Sequence, residues 1–262
     1  MSPFFLKVVL SFLVGGLWIT LTTVAAERLG SRVGGFIGGL PSTVVVALSF
    51  IAWTQGTTQA HAATTSLPLA FAVNALFLIV YAACVRRGLA AGIVAALLAW
   101  FVLQGGVVLW DVSSLAISLL VWAVVLVGAY EIATRVLDIP PSKGIERPTK
   151  PPLLWRGVFS GAIVALAVIL SEVGGPVLGA VLSAFPAVYT STLIVTSRSM
   201  GRDFSRSLVV PLMVSASVNC VVFATVFRYL VLDRGLMAAI LAYVATMPSA
   251  YLTYRFLRDQ ED

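Results

Sequence analysis

Three pairs of residues in this chain could do chemistry inside a membrane, and each pair is separated by the same interval. Glu27 and Glu172, Pro41 and Pro186, and Asn74 and Asn219 all lie 145 residues apart. A carboxylate buried among apolar helices is a functional expectation by default, because its charge must be paired, solvated or protonated. Glu27 and Glu172 are therefore candidate holders of a cation or proton. Both also fall at helix ends, and Arg28 follows Glu27 at once, so an interfacial ion pair is the plainer alternative. Proline removes a backbone donor and clashes with the carbonyl four residues earlier, so Pro41 and Pro186 should kink or break their helices. A carbonyl freed in this way must find a partner or line a wet cavity. Hydroxyls stand close by: Ser42 and Thr43 follow the first proline, and Thr190 with its neighbours follows the second. Asn74 and Asn219 are the only asparagines. Each amide has four hydrogen-bonding positions, which could serve a solute or simply tie two helices together.

The interval reflects a duplication. ERLGSRVGGFIGGLP (Glu27 to Pro41) and EVGGPVLGAVLSAFP (Glu172 to Pro186) share the pattern E-x-x-G-x-x-x-G-x-x-x-x-x-x-P without a gap. The same offset pairs Gly16 with Gly161 and Gly56 with Gly201. After a slip of two residues, Arg87-Gly88-Leu89 matches Arg234-Gly235-Leu236. Matches among Val, Leu and Ala mean little in so apolar a chain, and the rare letters carry the argument.

The elements that must position these residues follow from composition. Of 262 residues, 60% are hydrophobic and 11% charged, with a mean hydropathy of +1.01. A soluble domain carries about 25% charged residues. The sequence predicts an all-α integral membrane protein with about nine spans, each needing roughly 20 apolar residues. They are read at 4–25, 33–53, 64–85, 88–108, 112–133, 153–172, 175–197, 207–230 and 236–254. The first is expected to be retained rather than cleaved as a leader, since it has a counterpart later in the chain. Residues 1–110 form a first four-helix repeat, 111–136 a linking fifth helix, 137–152 a proline-rich cytoplasmic linker, and 153–262 a second four-helix repeat. The odd number of spans before the second repeat inverts it relative to the first. Such inverted repeats are a frequent plan of secondary transporters.

The charge distribution fits this plan. Alternating loops divide the 17 Lys and Arg 14 to 3, with Lys7, Arg228 and Arg234 on the poorer side. The positive-inside rule puts the richer side in the cytoplasm, the N-terminus outside and the C-terminus inside a cell (inner) membrane. The net charge of +6 is thereby accounted for by topology, and no basic run or aromatic platform suggests nucleic acid.

Other features have plainer readings. Cys84 and Cys220 lie in apolar stretches and form no metal or disulfide framework. Asp111 suits an N-cap, and Glu131 and Arg135 an i,i+4 pair. His61 falls in an expected outer loop, Thr57 to Ser66. Gln104 could face a cavity. Gly30, Gly34 and Gly38, with Gly175, Gly179 and Ser183 repeating them, make small-residue faces suited to close helix packing or a homodimer. No nucleotide loop, metal cluster or activated nucleophile is evident, so neither an enzyme nor a cofactor is expected.

The stretch GGFIGGLPSTVVVALSFIAWTQG (Gly34 to Gly56) and its partner VLGAVLSAFPAVYTSTLIVTSRSMG resemble a segment of the GlpM-like small bacterial membrane proteins. That resemblance implies a four-span unit present twice. The four-plus-one plan also resembles the drug/metabolite transporter superfamily. The sequence thus predicts a secondary transporter of a small solute or cation, working by alternating access in the lipid bilayer. A non-transporting accessory subunit of a membrane assembly and a passive channel are the alternatives.

Overall fold

The computed structural model describes residues 3–28, 40–139 and 153–258. Within them the chain forms ten α-helices and no strand: α1 (Pro3–Arg28), α2 (Ser42–Gln55), α3 (Thr57–Cys84), α4 (Leu89–Trp110), α5 (Leu115–Glu131), α6 (Leu153–Ser183), α7 (Ala187–Ser199), α8 (Arg202–Ser207), α9 (Val209–Arg234) and α10 (Met237–Arg258). A 3-10 turn (Val85–Arg87) follows α3, and a π-turn (Ile132–Val136) follows α5. Six of the described stretches are long and apolar enough to cross a membrane. The chain is a helical membrane protein. Its helices are apolar on nearly every face because lipid, rather than water, is their solvent.

α3 is the axle of the bundle and packs against α2, α4, α5, α6 and α9. Its 28 residues span about 42 Å at 1.5 Å per residue. From Ala60 to Ala82 most of its side chains are buried, including Leu67, Phe71, Phe77 and Tyr81. α5 is peripheral and leaves Ile117, Leu120, Val124 and Val127 exposed. α4 likewise exposes Leu98, Phe101 and Val102, as a lipid-facing wall would.

Different cationic side chains stand at the two ends of α3. At its start, Arg228 bonds the His61 carbonyl at 2.9 Å, and Lys7 donates to the Trp53 carbonyl at 3.0 Å. At its finish, Arg206 donates to the carbonyls of Ala82 and Leu137, and Arg202 to that of Arg86 at 3.2 Å. His61 and Ala82 are about 31 Å apart along the helix, so the two groups of cations lie at opposite ends of the bundle.

Several expectations are corrected. The segment Thr57 to Ser66 is not a loop but the first turns of α3. Its Ala60 and Ala63 are fully buried, and packing overrides the weak helix propensity of its threonines. The span expected at 175–197 does not run straight. α6 continues past residue 172 and bends at Gly175, whose φ of 83° and ψ of 178° are not helical; the helix then ends at Ser183 and restarts at Ala187. The span expected at 33–53 is described only from residue 40, and its helix begins at Ser42. Asp111 is not an N-cap: it closes α4 in the left-handed region at φ 46°, while Ser114 caps α5. Gly30, Gly34 and Gly38 and most of the proline-rich linker lie outside the described residues, and so does the side chain of Glu27. The Glu131–Arg135 ion pair is present at 2.5 Å, and both cysteines are free.

The first helices of the two halves, α1 and α6, cross at their glycines. A Cβ on Gly161 would stand 2.5 Å from the Phe12 carbonyl oxygen and 3.3 Å from the Gly16 nitrogen. A Cβ on Gly16 would meet the Gly157 carbonyl at 2.8 Å. Only hydrogen fits at these positions, and their absence of side chains is what lets the backbones touch. Gly179 and Ser183 are also consumed within the chain: a Cβ on Gly179 would meet Ser171 at 2.5 Å, and Ser183 is buried.

Candidate functional site

Pro41 and Pro186 sit in the same backbone turn, and a helix begins directly after each. Pro41 has φ −78° and ψ 52°; Pro186 has φ −77° and ψ 43°. Each is the centre of an inverse γ-turn. The Ser42 N–H donates to the Leu40 carbonyl at 2.8 Å, and the Ala187 N–H to that of Phe185 at 2.8 Å. The helix then resumes, with Val45 donating to Pro41 at 3.0 Å and Thr190 to Pro186 at 2.8 Å. The missing proline donor and the ring favour a turn over a continuous ladder here, although Pro68 and Pro248 are accommodated inside α3 and α10; Pro41 and Pro186 are both buried. The match extends one helix further. Gly56 (φ 96°, ψ 162°) and Gly201 (φ 94°, ψ 165°) both precede a new helix, in a conformation that an L side chain would strain.

A break in apolar surroundings leaves carbonyls without partners. Asn74 supplies one. Its Nδ2 donates to the Ala184 carbonyl at 2.8 Å, inside the break before Pro186. Its Oδ1 accepts from the Trp100 indole at 2.7 Å. Asn74 and Trp100 are only 2% and 1% exposed, so this junction of α3, α4 and the broken helix is dry. The Trp100 ring also meets Phe185 edge-on at 5.0 Å between centroids, which closes the flank of the break. One turn along α4, Gln104 donates to the Ala70 carbonyl at 3.1 Å, so it too ties α4 to α3.

Asn219 is fully buried on α9, and its Oδ1 accepts from Ser249 on the next helix at 2.8 Å. Both asparagines thus receive a hydrogen bond from the helix that follows their own. The offset pairs Ala184 with Gly39, which lies outside the described residues.

The remaining predicted residues are placed as follows. Thr190 lies in the first turn of α7, and its Oγ1 is buried without a hydrogen-bond partner among the described residues. Ser42 and Thr43 occupy the equivalent turn of α2 and are half-buried. Glu172 is exposed beside the Gly174-Gly175 bend and is not brought to the break at Pro186. Among the described residues no three His, Cys, Asp or Glu side chains could hold a metal ion. A groove of about 330 Å³ on the flank of the bundle is lined by Val14, Trp18, Ser49, Phe50, Ile240 and Tyr243 among others, and by none of the predicted site residues.

Sequence reasoning missed the partners. Trp100 was one of six tryptophans, and Ala184 is an ordinary small residue until its carbonyl is freed. The signal that could have found Trp100 is its i,i+4 spacing to Gln104, the only polar side chain within α4. Gln55 was also missed. It joins α2 to α6 through the Val168 carbonyl at 3.0 Å and Ser171 at 2.7 Å. The chain was compared with family models, curated proteins and solved structures, and nothing matches it.

Proposed function

We propose that this protein is a secondary transporter of a small solute or ion, in which two inverted four-helix repeats move about a pair of broken helices. The observation that carries the reading is the pair of turns at Pro41 and Pro186, alike in backbone angles and hydrogen bonding, each opening a helix. Discontinuous helices at matching positions of two repeats are the best pointer to a transporter's binding site, because their ends offer unpaired backbone groups and dipole charge. The nine-span plan and its four-plus-one arrangement belong to this proposal. So does the likeness of each half to a GlpM-like unit.

Inversion is supported by the arginines. The offset of 145 carries Arg206 onto His61 and Arg228 onto Ala83. Arg206 contacts Ala82 and Arg228 contacts His61, which are equivalent encounters at opposite ends of α3. A two-fold axis lying in the membrane plane relates such contacts. The touching pair Gly16 and Gly161 would then lie near that axis. The cation-rich end with Arg86, Arg202 and Arg206 would be cytoplasmic.

In this reading the solute binds at the first turns of α2 and α7, where Ser42, Thr43 and Thr190 offer hydroxyls. Pro41 and Pro186 shape the site, and Glu27 and Glu172 take coupling cations or protons. Asn74 and Asn219 border the site and change partners as the halves rock. The dry Asn74–Trp100 junction, with Gly105 and Gly106 open on the lipid face, favours one rival: an accessory subunit that packs against other membrane proteins.

A ligand screen separates the two. The detergent-purified protein is heated in the presence of ions and metabolites, and any stabilising compound is then followed in proteoliposomes. The transporter reading expects saturable flux that falls at least tenfold in Thr190→Val. Saturable flux of no stabilising compound, or full flux in the variant, would favour the accessory reading.

A further inference from the structure

Arg228 is a guanidinium held by neutral oxygens alone. Its Nη1 donates to the His61 carbonyl at 2.9 Å, to Thr64 Oγ1 at 3.1 Å and to Thr65 Oγ1 at 2.8 Å. Among the described residues Nε and Nη2 donate to no protein acceptor, and no carboxylate lies within ion-pair distance. Arg206 makes the contrast. It uses Nε and Nη2 on the carbonyls of Ala82 and Leu137, and Asp203 and Asp138 stand near it.

Among the described residues no acid pairs with Arg228. Asp233, on the same helix, is five residues on and so about 140° around the axis; its side chain is exposed. The first turn of α3 carries no acid. An uncompensated charge at the edge of an apolar bundle is costly. Here it is also held in orientation, because three acceptors fix one nitrogen and leave the Nε–Nη2 edge without a protein acceptor among the described residues. That edge is the one that matches two oxygens of a carboxylate or phosphate.

We infer that Arg228 is the anchor of an oxyanion-binding site at this end of the bundle, taking a phosphate or carboxylate group bidentately on Nε and Nη2. Thr64 and Thr65 act as positioning residues. The inference does not depend on transport. Two sources carry this chemistry. One is the headgroup of an anionic lipid, whose chain could lie on the exposed Tyr229 and Leu232; the other is a free small anion.

The test is thermal unfolding of the full chain in a neutral detergent, with phosphatidylglycerol, phosphatidylcholine, inorganic phosphate or acetate added in turn. The wild type should be stabilised by several degrees by phosphatidylglycerol if the source is lipid, or by phosphate or acetate if it is a solute. Phosphatidylcholine should do neither. Arg228→Gln should lose the shift, and Arg228→Lys, which keeps the charge but not the fork, should retain less than half of it. Equal shifts in wild type and Arg228→Lys would overturn the inference even if the Gln variant does not fold. So would the absence of any anion-dependent shift in the wild type.

Discussion

Gly161→Leu should leave little monodisperse protein. The new Cβ would stand 2.5 Å from a backbone oxygen of α1, and a carbonyl cannot rotate away as a side chain can. α1 and α6 would have to separate along their whole contact. Overpacking costs about 1–3 kcal/mol and occasionally more, and a clash against backbone belongs at or above the upper end. The control is Gly105→Leu, where a Cβ meets nothing within 4 Å and the change should stay within about 0.5 kcal/mol. Size-exclusion profiles and unfolding temperatures of the two variants check this. Equal behaviour would mean that α1 and α6 do not cross at these glycines.

Asn74→Leu should be the most damaging polar substitution. It leaves the Ala184 carbonyl and the Trp100 indole without partners in a dry place. An orphaned buried group costs about 1–3 kcal/mol, whereas hydrogen bonds between membrane helices are worth about 0.6–2 kcal/mol. A loss of roughly 2 kcal/mol is expected, read as a lower unfolding temperature. Trp100→Phe in the same chain removes one of the two orphans, so the double variant should cost less than the sum of the single ones. Strict additivity would mean that the two side chains are not coupled. The sequence left both a solute-binding and a helix-tying role open for these amides, and the two hydrogen bonds of Asn74 supply the second.

What was legible followed from residue rarity and from the solvent. The apolar composition allowed only a membrane bundle, and the paired prolines marked where helices begin, whereas Pro68 sits inside α3. The asparagines stood out because there are only two, and the repeated prolines and glycines because they fall on the same offset. What was not legible depended on partners distant in sequence. Asn74 meets a carbonyl 110 residues away, and nothing about Ala184 announces it. Thr57 to Ser66 read as a loop because its side chains are polar, yet two buried alanines and the anchoring of Arg228 make it helix. Asp111 read as a cap from its residue type, and only its left-handed conformation shows that it closes α4 instead. Glu172 read either as a coupling carboxylate or as an interfacial residue at a helix end, and it is exposed beside the bend at Gly175.

The central claim is that the turns after Pro41 and Pro186 meet water from alternate sides. It is tested most directly by labelling Thr190→Cys in membranes, in a chain lacking Cys84 and Cys220, with an impermeant thiol reagent applied from one face at a time. Alternating access predicts labelling from both faces, at rates that shift in opposite directions when a stabilising solute is added. Thr43→Cys should show the mirrored response. Labelling of neither cysteine from either face, in folded protein, would contradict the claim and leave these breaks as dry packing joints.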